Sequence, residues 1–319
     1  MTKRADLGAF LRSRRARLKP EDVGLTQYGE RRRVPGLRRE ELARLAGVSV
    51  DYYVRFEQGR AENVSDEVLD AIASALRLNR DEHGHLRDLV RAMSGRRGAG
   101  ATSGGPVGAA GGTGVAAETA GSMGSAASVV PAQEVRPGVR RLLASMPETP
   151  AFVMGRRTDL LAWNPLFATL FIDVDTVPIE RRNKAWLVIR DERLRARYVN
   201  WETKAQDVVA YLRLDAGRHP EDPAFAELIS ELSESSPDFR RLWATHEVRD
   251  KTHGGYHLRH PAIGELTLSY ESFRTVDDPD QTLVTYTAEA DSPSEAALRI
   301  LANRAHPTST HQTTPGPLV

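Results

Sequence analysis

From Ser94 to Ser128 the chain is mainly Gly, Ala, Ser and Thr with scattered Val, and it shows neither a helical nor a strand period. A run of that composition buries too little apolar surface to offset the entropy lost on ordering it. It therefore divides the 319 residues into two folding units and predicts a flexible linker over 94–130. The units are residues 1–93 and 131–305, and a polar, Pro-rich stretch over 306–319 reads as a disordered tail. A phosphate-cradling loop is the alternative for the glycines, but no strand leads into them and no Gly-Lys-Ser/Thr follows.

Charge divides at the same place. The whole chain is nearly balanced, with 44 basic and 43 acidic side chains. Residues 1–97 carry 21 basic and 15 acidic, the remainder 23 and 28, and the first sixty alone carry 15 and 8. Such asymmetry suggests that the N-terminal unit meets a polyanion. The acidic remainder would then stay off it. Only five of the basic residues are Lys, and base composition of the genome is the simplest reason for the bulk of the Arg. The absence of cysteine excludes disulfides, cysteine zinc sites and a thiol nucleophile. No stretch approaches the ~20 apolar residues of a membrane span. The N-terminus has no signal-peptide apolar region. A cytoplasmic protein without membrane contact is expected.

The first unit reads as five helices. Leu7, Phe10, Leu11 and Leu18 give a first apolar face, and Leu37 to Gly47 a second, short helix. Ser49 caps a third that Gly59 ends, Ser65 caps a fourth, and Leu86, Leu89, Val90 and Met93 mark a fifth. Counted from Arg39, the second and third match a helix-turn-helix: Leu42, Ala43, Ala46, Gly47, Val48, Tyr53 and Phe56 are small, apolar or Gly where two closely crossing helices need them. The helix opening at Ser49 is then the reader, with Val50, Asp51, Tyr52 and Arg55 facing the major groove. Arg55 suits guanine or phosphate, and Asp51 suits a cytosine amino group. An ordinary first-turn carboxylate is the alternative for Asp51. Arg31, Arg32, Arg33, Arg38 and Arg39 read as phosphate contacts that set orientation. One reader covers few base pairs, so a homodimer on an inverted repeat of double-stranded DNA is expected.

The second unit mixes periods. Ala151–Met154 and Leu160–Trp163 read as strands about a turn, and Asn164-Pro165 opens a helix to Phe171. Arg181–Ile189, Arg195–Leu214, Pro223–Leu232, Asp238–Thr245 and Ser294–Ala305 read as helices. Leu266, Leu268 and Tyr270 alternate with polar residues, and Leu283–Thr287 is β-branched, which gives antiparallel strands. The fold class is thus multidomain: an all-α helix-turn-helix domain and an α+β domain with an antiparallel sheet.

The run 31–60, RRRVPGLRREELARLAGVSVDYYVRFEQGR, resembles the helix-turn-helix of MmyB-like transcriptional regulators within the xenobiotic response element, phage repressor-like group. The second unit resembles that family's ligand-binding region at RPGVRRLL (136–143), TPAFVMGRR (149–157), LAWN (161–164), NWE (200–202), GRHP (217–220), FRRLWATH (239–246) and LVTYTAE (283–289). The resemblance implies a PAS-like domain, a cytoplasmic regulator, and a buried pocket for a small, largely apolar molecule such as a fatty acid. Val50 and Asp51 stand where many of the wider group carry Gln, so a Gln–adenine contact is not carried over. The linker is also longer than the family leads one to expect, which argues against a rigid link between the domains.

Aromatic residues with polar tips often line pockets. Phe152, Trp163, Asn164, Phe167, Phe171, Trp186, Tyr198, Trp201, Trp243 and Tyr270 are the candidates, each with an ordinary core role as its alternative. His246, His253, His257 and His260 fall within fifteen residues beside Glu247 and Asp250, but Gly254-Gly255 puts them about a turn and no helical His-Glu-x-x-His pair occurs. No metal, cofactor or catalytic residue is therefore assigned. No Gly-x-Ser-x-Gly or dinucleotide pattern is present. The chain reads as a ligand-responsive transcription regulator rather than an enzyme. The alternatives are a DNA-binding protein whose second domain only dimerises and, more remotely, a DNA-tethered metal enzyme.

Overall fold

The structure is a computed structural model that describes residues 3–25, 36–61, 63–94, 133–250 and 252–305. Residues 95–130 of the expected linker, the tail and Arg31, Arg32 and Arg33 lie outside the described residues, while Ser94 caps the end of the Arg80–Met93 helix.

The first domain comprises α1 (Lys3–Arg17), α2 (Arg39–Leu45), α3 (Val50–Glu57), α4 (Asp66–Ala75) and α5 (Arg80–Met93). Side-chain caps set the starts. Ser49, Ser65 and Asn79 each accept a hydrogen bond from a backbone N–H of the following turn. Gly47 sits between α2 and α3 at φ +66°, a backbone angle costly for any residue with a Cβ. Leu7, Phe10, Leu42, Tyr53, Phe56, Ile72 and Leu86 fill the core.

The second domain runs α6 (Pro137–Ala144), β1 (Ala151–Met154), β2 (Leu160–Trp163), α7 (Pro165–Leu170), α8 (Lys184–Arg190), α9 (Glu192–Arg195), α10 (Trp201–Arg218), α11 (Pro223–Ser235), α12 (Pro237–Trp243), β3 (His253–His260), β4 (Gly264–Arg274), β5 (Thr282–Thr287) and α13 (Pro293–Ala305). The strands form one antiparallel sheet in the order β2-β1-β5-β4-β3. Because side chains alternate across a strand, Phe152, Leu266, Leu268, Tyr270, Val284 and Tyr286 face the main helical layer. Ala151, Val153, Ala162 and Leu283 face α6 on the other side. This is the α+β architecture that the change of period predicts.

Two local expectations fail for tertiary reasons. The histidine region is not a turn: all of β3 pairs with β4, from His253 opposite Glu271 to His260 opposite Gly264. The ladder supplies backbone partners that Gly254-Gly255 alone do not suggest. The helix expected from Arg195 instead begins at Trp201, because residues 197–199 lie on the free edge of β3. There Val199 N–H donates to His257 at 3.0 Å and Arg259 N–H to Arg197 at 2.7 Å.

The domains also pack together directly, a link that the linker's length did not suggest. Leu214 of α10 and Val248, after α12, are each about 2% exposed and belong to the core of the helix-turn-helix domain. Gly217 lies on His85 of α5 so closely that a Cβ would sit 2.6 Å from its Nδ1. Arg14, 1% exposed, pairs with Glu82 at 3.0 Å and donates to the His246 carbonyl at 2.6 Å. Arg17 joins Glu82 at 2.6 Å to Glu247 at 2.8 Å. Burial, reinforced by Arg213 and Arg14, pushes His85 down to about 3 and His246 to about 4. Elsewhere His219 lies between Asp215 and Asp280; burial opposes its charge, but the two carboxylates hold it up to about 10.

Leu214→Ala in the full chain is expected to cost about 2–4 kcal/mol and to speed amide exchange in α1 and α5, across the domain boundary. The histidines set opposite pH limbs. His85 and His246 refuse a proton that the unfolded chain accepts below about 6.5, so their contribution is present above that pH and is lost as pH falls toward 3–4. His219 contributes fully below about 6.5 and loses its contribution as pH rises through about 10. The thermal midpoint should fall on both sides of neutrality. His85→Gln should flatten the acid limb and His219→Asn the alkaline one.

Candidate DNA-binding surface and ligand cavity

The reader helix is held from beneath by one buried carboxylate. Glu57, fully buried at the end of α3, accepts Arg15 of α1 at 3.2 Å and Arg39 of α2 at 2.8 Å. Arg15 also donates to the Leu37 carbonyl at 2.7 Å. One acid thus ties the three helices that must keep a fixed angle for α3 to enter a groove. Its two guanidinium partners supply the charge-assisted bonds that a buried carboxylate requires.

Above this pair the outer face of α3 is open. Ser49, Val50, Asp51 and Arg55 are exposed, and Tyr52 is half-buried against the core. Asp51 and Arg55 pair at 3.3 Å across one turn. Arg38 is exposed, and its backbone N–H is capped by Glu41 at 2.7 Å. Arg39 divides its surface: its guanidinium bonds Glu57 while 44% of the side chain meets solvent. The contacts with the second domain come from α1 and α5, so docking leaves the reader face exposed.

In the second domain a cavity of about 130 Å3 lies between α10 and the inner face of the sheet. Tyr256, Tyr270 and Tyr286 from the strands, Tyr211 and Val208 from α10, and Met154 and Val284 line it. Tyr256 and Tyr270 stack at 5.1 Å. Two of the chain's five lysines, Lys184 and Lys204, also line it. Lys204 is 1% exposed, with Nζ 4.1 Å from the Tyr256 ring centre and 5.1 Å from that of Tyr198. Asp207, one turn on, accepts from the Tyr256 hydroxyl at 3.2 Å and pairs with Arg249 at 3.3 Å. Burial and the neighbouring Asp207 hold the Tyr256 phenol far above its ordinary value, so it stays a donor. Burial pushes Tyr270 up to about 12, and its hydroxyl makes no hydrogen bond of good geometry. A smaller apolar void of about 20 Å3, lined by Phe152, Phe167, Phe171 and Tyr198, shares Lys184 and Tyr286 with the cavity.

The ten aromatic and polar candidates therefore separate. Tyr270 lines the cavity, and Phe152, Phe167, Phe171 and Tyr198 line the adjoining void. Asn164 caps α7 and binds the Ala151 N–H and the Met146 and Thr149 carbonyls. Trp163 stacks under Arg182 at an open groove. The Trp186 indole donates to Glu231, and that of Trp201 donates to the Val188 carbonyl. Trp243 lies under Arg213. Sequence reasoning missed Lys184, Lys204 and Asp207. The available signal was the rarity of lysine: where Arg serves nearly every surface position, a retained Lys asks for a reason.

The four neighbouring histidines do not converge. His260 bonds the Thr169 carbonyl at 3.1 Å and the Ala262 N–H at 3.2 Å, His257 meets Glu265 at 3.2 Å, and His253 meets Thr252 at 3.0 Å. Among the described residues no group of three His, Asp or Glu is arranged to hold a metal ion.

Two family models match the chain. One, a helix-turn-helix domain, spans residues 6–86. The other, the MmyB-like transcription regulator ligand binding domain, spans residues 135–301. The chain belongs to the MmyB-like transcription regulators. No curated protein matches it. This regulator is accordingly a DNA-binding protein with a ligand-binding C-terminal domain. Among its described residues no helix is long and apolar enough to cross a membrane.

Glu57→Gln removes the charge that Arg15 and Arg39 share. We expect a loss of about 3–5 kcal/mol, read by urea unfolding, with DNA affinity falling in parallel because the reader angle loosens. Retention of full stability would show that the acid is dispensable.

Proposed function

We propose that the protein is a sequence-specific transcription regulator, working as a homodimer on an inverted repeat, that senses a small and largely apolar acid. The observation that carries the ligand side is the cavity itself. Aromatic walls continue into an apolar void, and two of the three lysines of a domain otherwise served by Arg sit at their junction and along α10. The apolar part of the ligand would lie against Phe152, Phe167, Phe171 and Tyr198, with its acid group toward Lys184 and Lys204 and a polar atom meeting the Tyr270 hydroxyl. A fatty acid fits this description.

On the DNA side, Arg55 reads a guanine or a phosphate and Asp51 accepts from a cytosine amino group once their mutual pair opens. Ser49, Val50 and Tyr52 complete the surface against the groove. Arg38, Arg39 and the Arg31–Arg33 run hold phosphates. The basic excess of residues 1–60 supports this division.

Selection of bound sequences from random duplexes should return an inverted repeat, and Arg55→Ala should relax one position in each half-site at a cost of about 1–3 kcal/mol. Replacing Arg31, Arg32 and Arg33 by Gln should weaken binding to every duplex and reduce the salt slope by about 2–3. Unpatterned selected sequences would refute the sequence-specific reading. On the ligand side, decanoate should raise the thermal midpoint of the full chain, and Lys184→Met should weaken its binding about tenfold or more.

A further inference from the structure

Five consecutive residues between α12 and β3 touch the DNA-binding domain and the cavity in turn. The His246 carbonyl takes the Arg14 guanidinium at 2.6 Å, and Glu247 takes Arg17 at 2.8 Å. Val248 is buried in the helix-turn-helix core. Arg249 then turns to the cavity and pairs with Asp207 at 3.3 Å. Asp250 does both. Its backbone N–H donates to Asp81 of α5 at 2.8 Å, while its carboxylate lines the cavity and binds Arg218 of α10 and Arg274 of β4.

We propose that His246–Asp250 is a strap through which the contents of the cavity set the grip of the ligand-binding domain on α1 and α5. The reason is covalent and steric. Arg249 lies between a residue packed in one domain's core and a residue bonded to both domains, so a shift of its head group toward or away from Asp207 is carried to Val248 and to the Asp250–Asp81 bond. Val248 is the strap's buried anchor, and a close-packed residue passes such a displacement on rather than absorbing it, while the half-exposed Arg249 acts through its ion pair with Asp207. An occupant of the cavity meets one strap position, Asp250, directly and reaches Arg249 through its partner Asp207; unequal contact with these groups in two dockings is what a population shift requires. The reader face stays open throughout. The strap therefore works on the orientation of the docked DNA-binding domain, and so on the relation between two readers in a dimer, rather than by covering the reader.

This inference rests on the sensor reading for what fills the cavity, but its test needs no ligand. Amide hydrogen exchange is measured on the full chain. Arg249→Gln cuts the strap's tie to Asp207 and removes no group bonded to the DNA-binding domain. We expect amides in the first half of α5 and the last turn of α1 to exchange at least tenfold faster. Arg249→Lys should recover most of the protection. Asp207→Asn, a second route to the same break, should reproduce the acceleration. Thr282→Val, on the same cavity wall but off the strap, should leave these amides unchanged. Unaltered exchange in both Arg249→Gln and Asp207→Asn, or equal acceleration in Thr282→Val, would overturn the strap. Failure of decanoate to stabilise the wild-type chain overturns the sensor reading alone.

Discussion

At the point where α10 meets α5 stands Gly217, and a methyl group there would lie 2.6 Å from the His85 ring. That close approach seats Leu214 and Val248 inside the core of the DNA-binding domain and brings the His246 carbonyl onto Arg14. His85 can be packed this tightly because it is neutral, which its burial among arginines enforces. Much else follows from this seam. It makes α10 a wall shared by the cavity at one end and the helix-turn-helix at the other. It also leaves the outer face of α3 free while the domains are joined.

The two ends of the molecule solve the problem of buried charge in different ways. In the first domain a single carboxylate, Glu57, is surrounded by two guanidinium groups, and the gain is angular: three helices are fixed to one another. In the second, Lys204 lies against tyrosine faces beside Asp207, within reach of a cavity. A compact ammonium on a flexible stem can follow a ligand's head group, whereas a planar guanidinium demands a fixed partner geometry. That difference gives a physical reason for Lys rather than Arg at the cavity in a chain that otherwise prefers Arg.

The helix-turn-helix was legible because its constraints are local. Small residues at the crossing, Gly47 at the turn and Ser49 at the cap are each dictated by neighbours within a few residues, and the structure places all of them as the spacing requires. The strands β1, β2, β4 and β5 were legible from their period. β3 was not, because glycine and histidine signal no strand until β4 pairs with them. The start of α10 was missed for a related reason: residues 197–199 exchange helix for a place on the edge of β3. Among the aromatic residues, composition could mark a group but could not separate Trp201, whose indole serves a backbone carbonyl, from Tyr270 on the cavity wall.

The sequence by itself determined two units with opposite charge, a reader helix with its exposed face, and an α+β second domain, because periodicity, caps and charge act over a few residues. Only the tertiary structure decided that the units share a core, that lysines and tyrosines from distant elements enclose one cavity, and that residues 246–250 run between that cavity and the DNA-binding domain. Those facts depend on groups separated by up to 232 positions, such as Arg14 and His246, meeting at hydrogen-bond distance. A pattern read along the chain carries no information about such pairs.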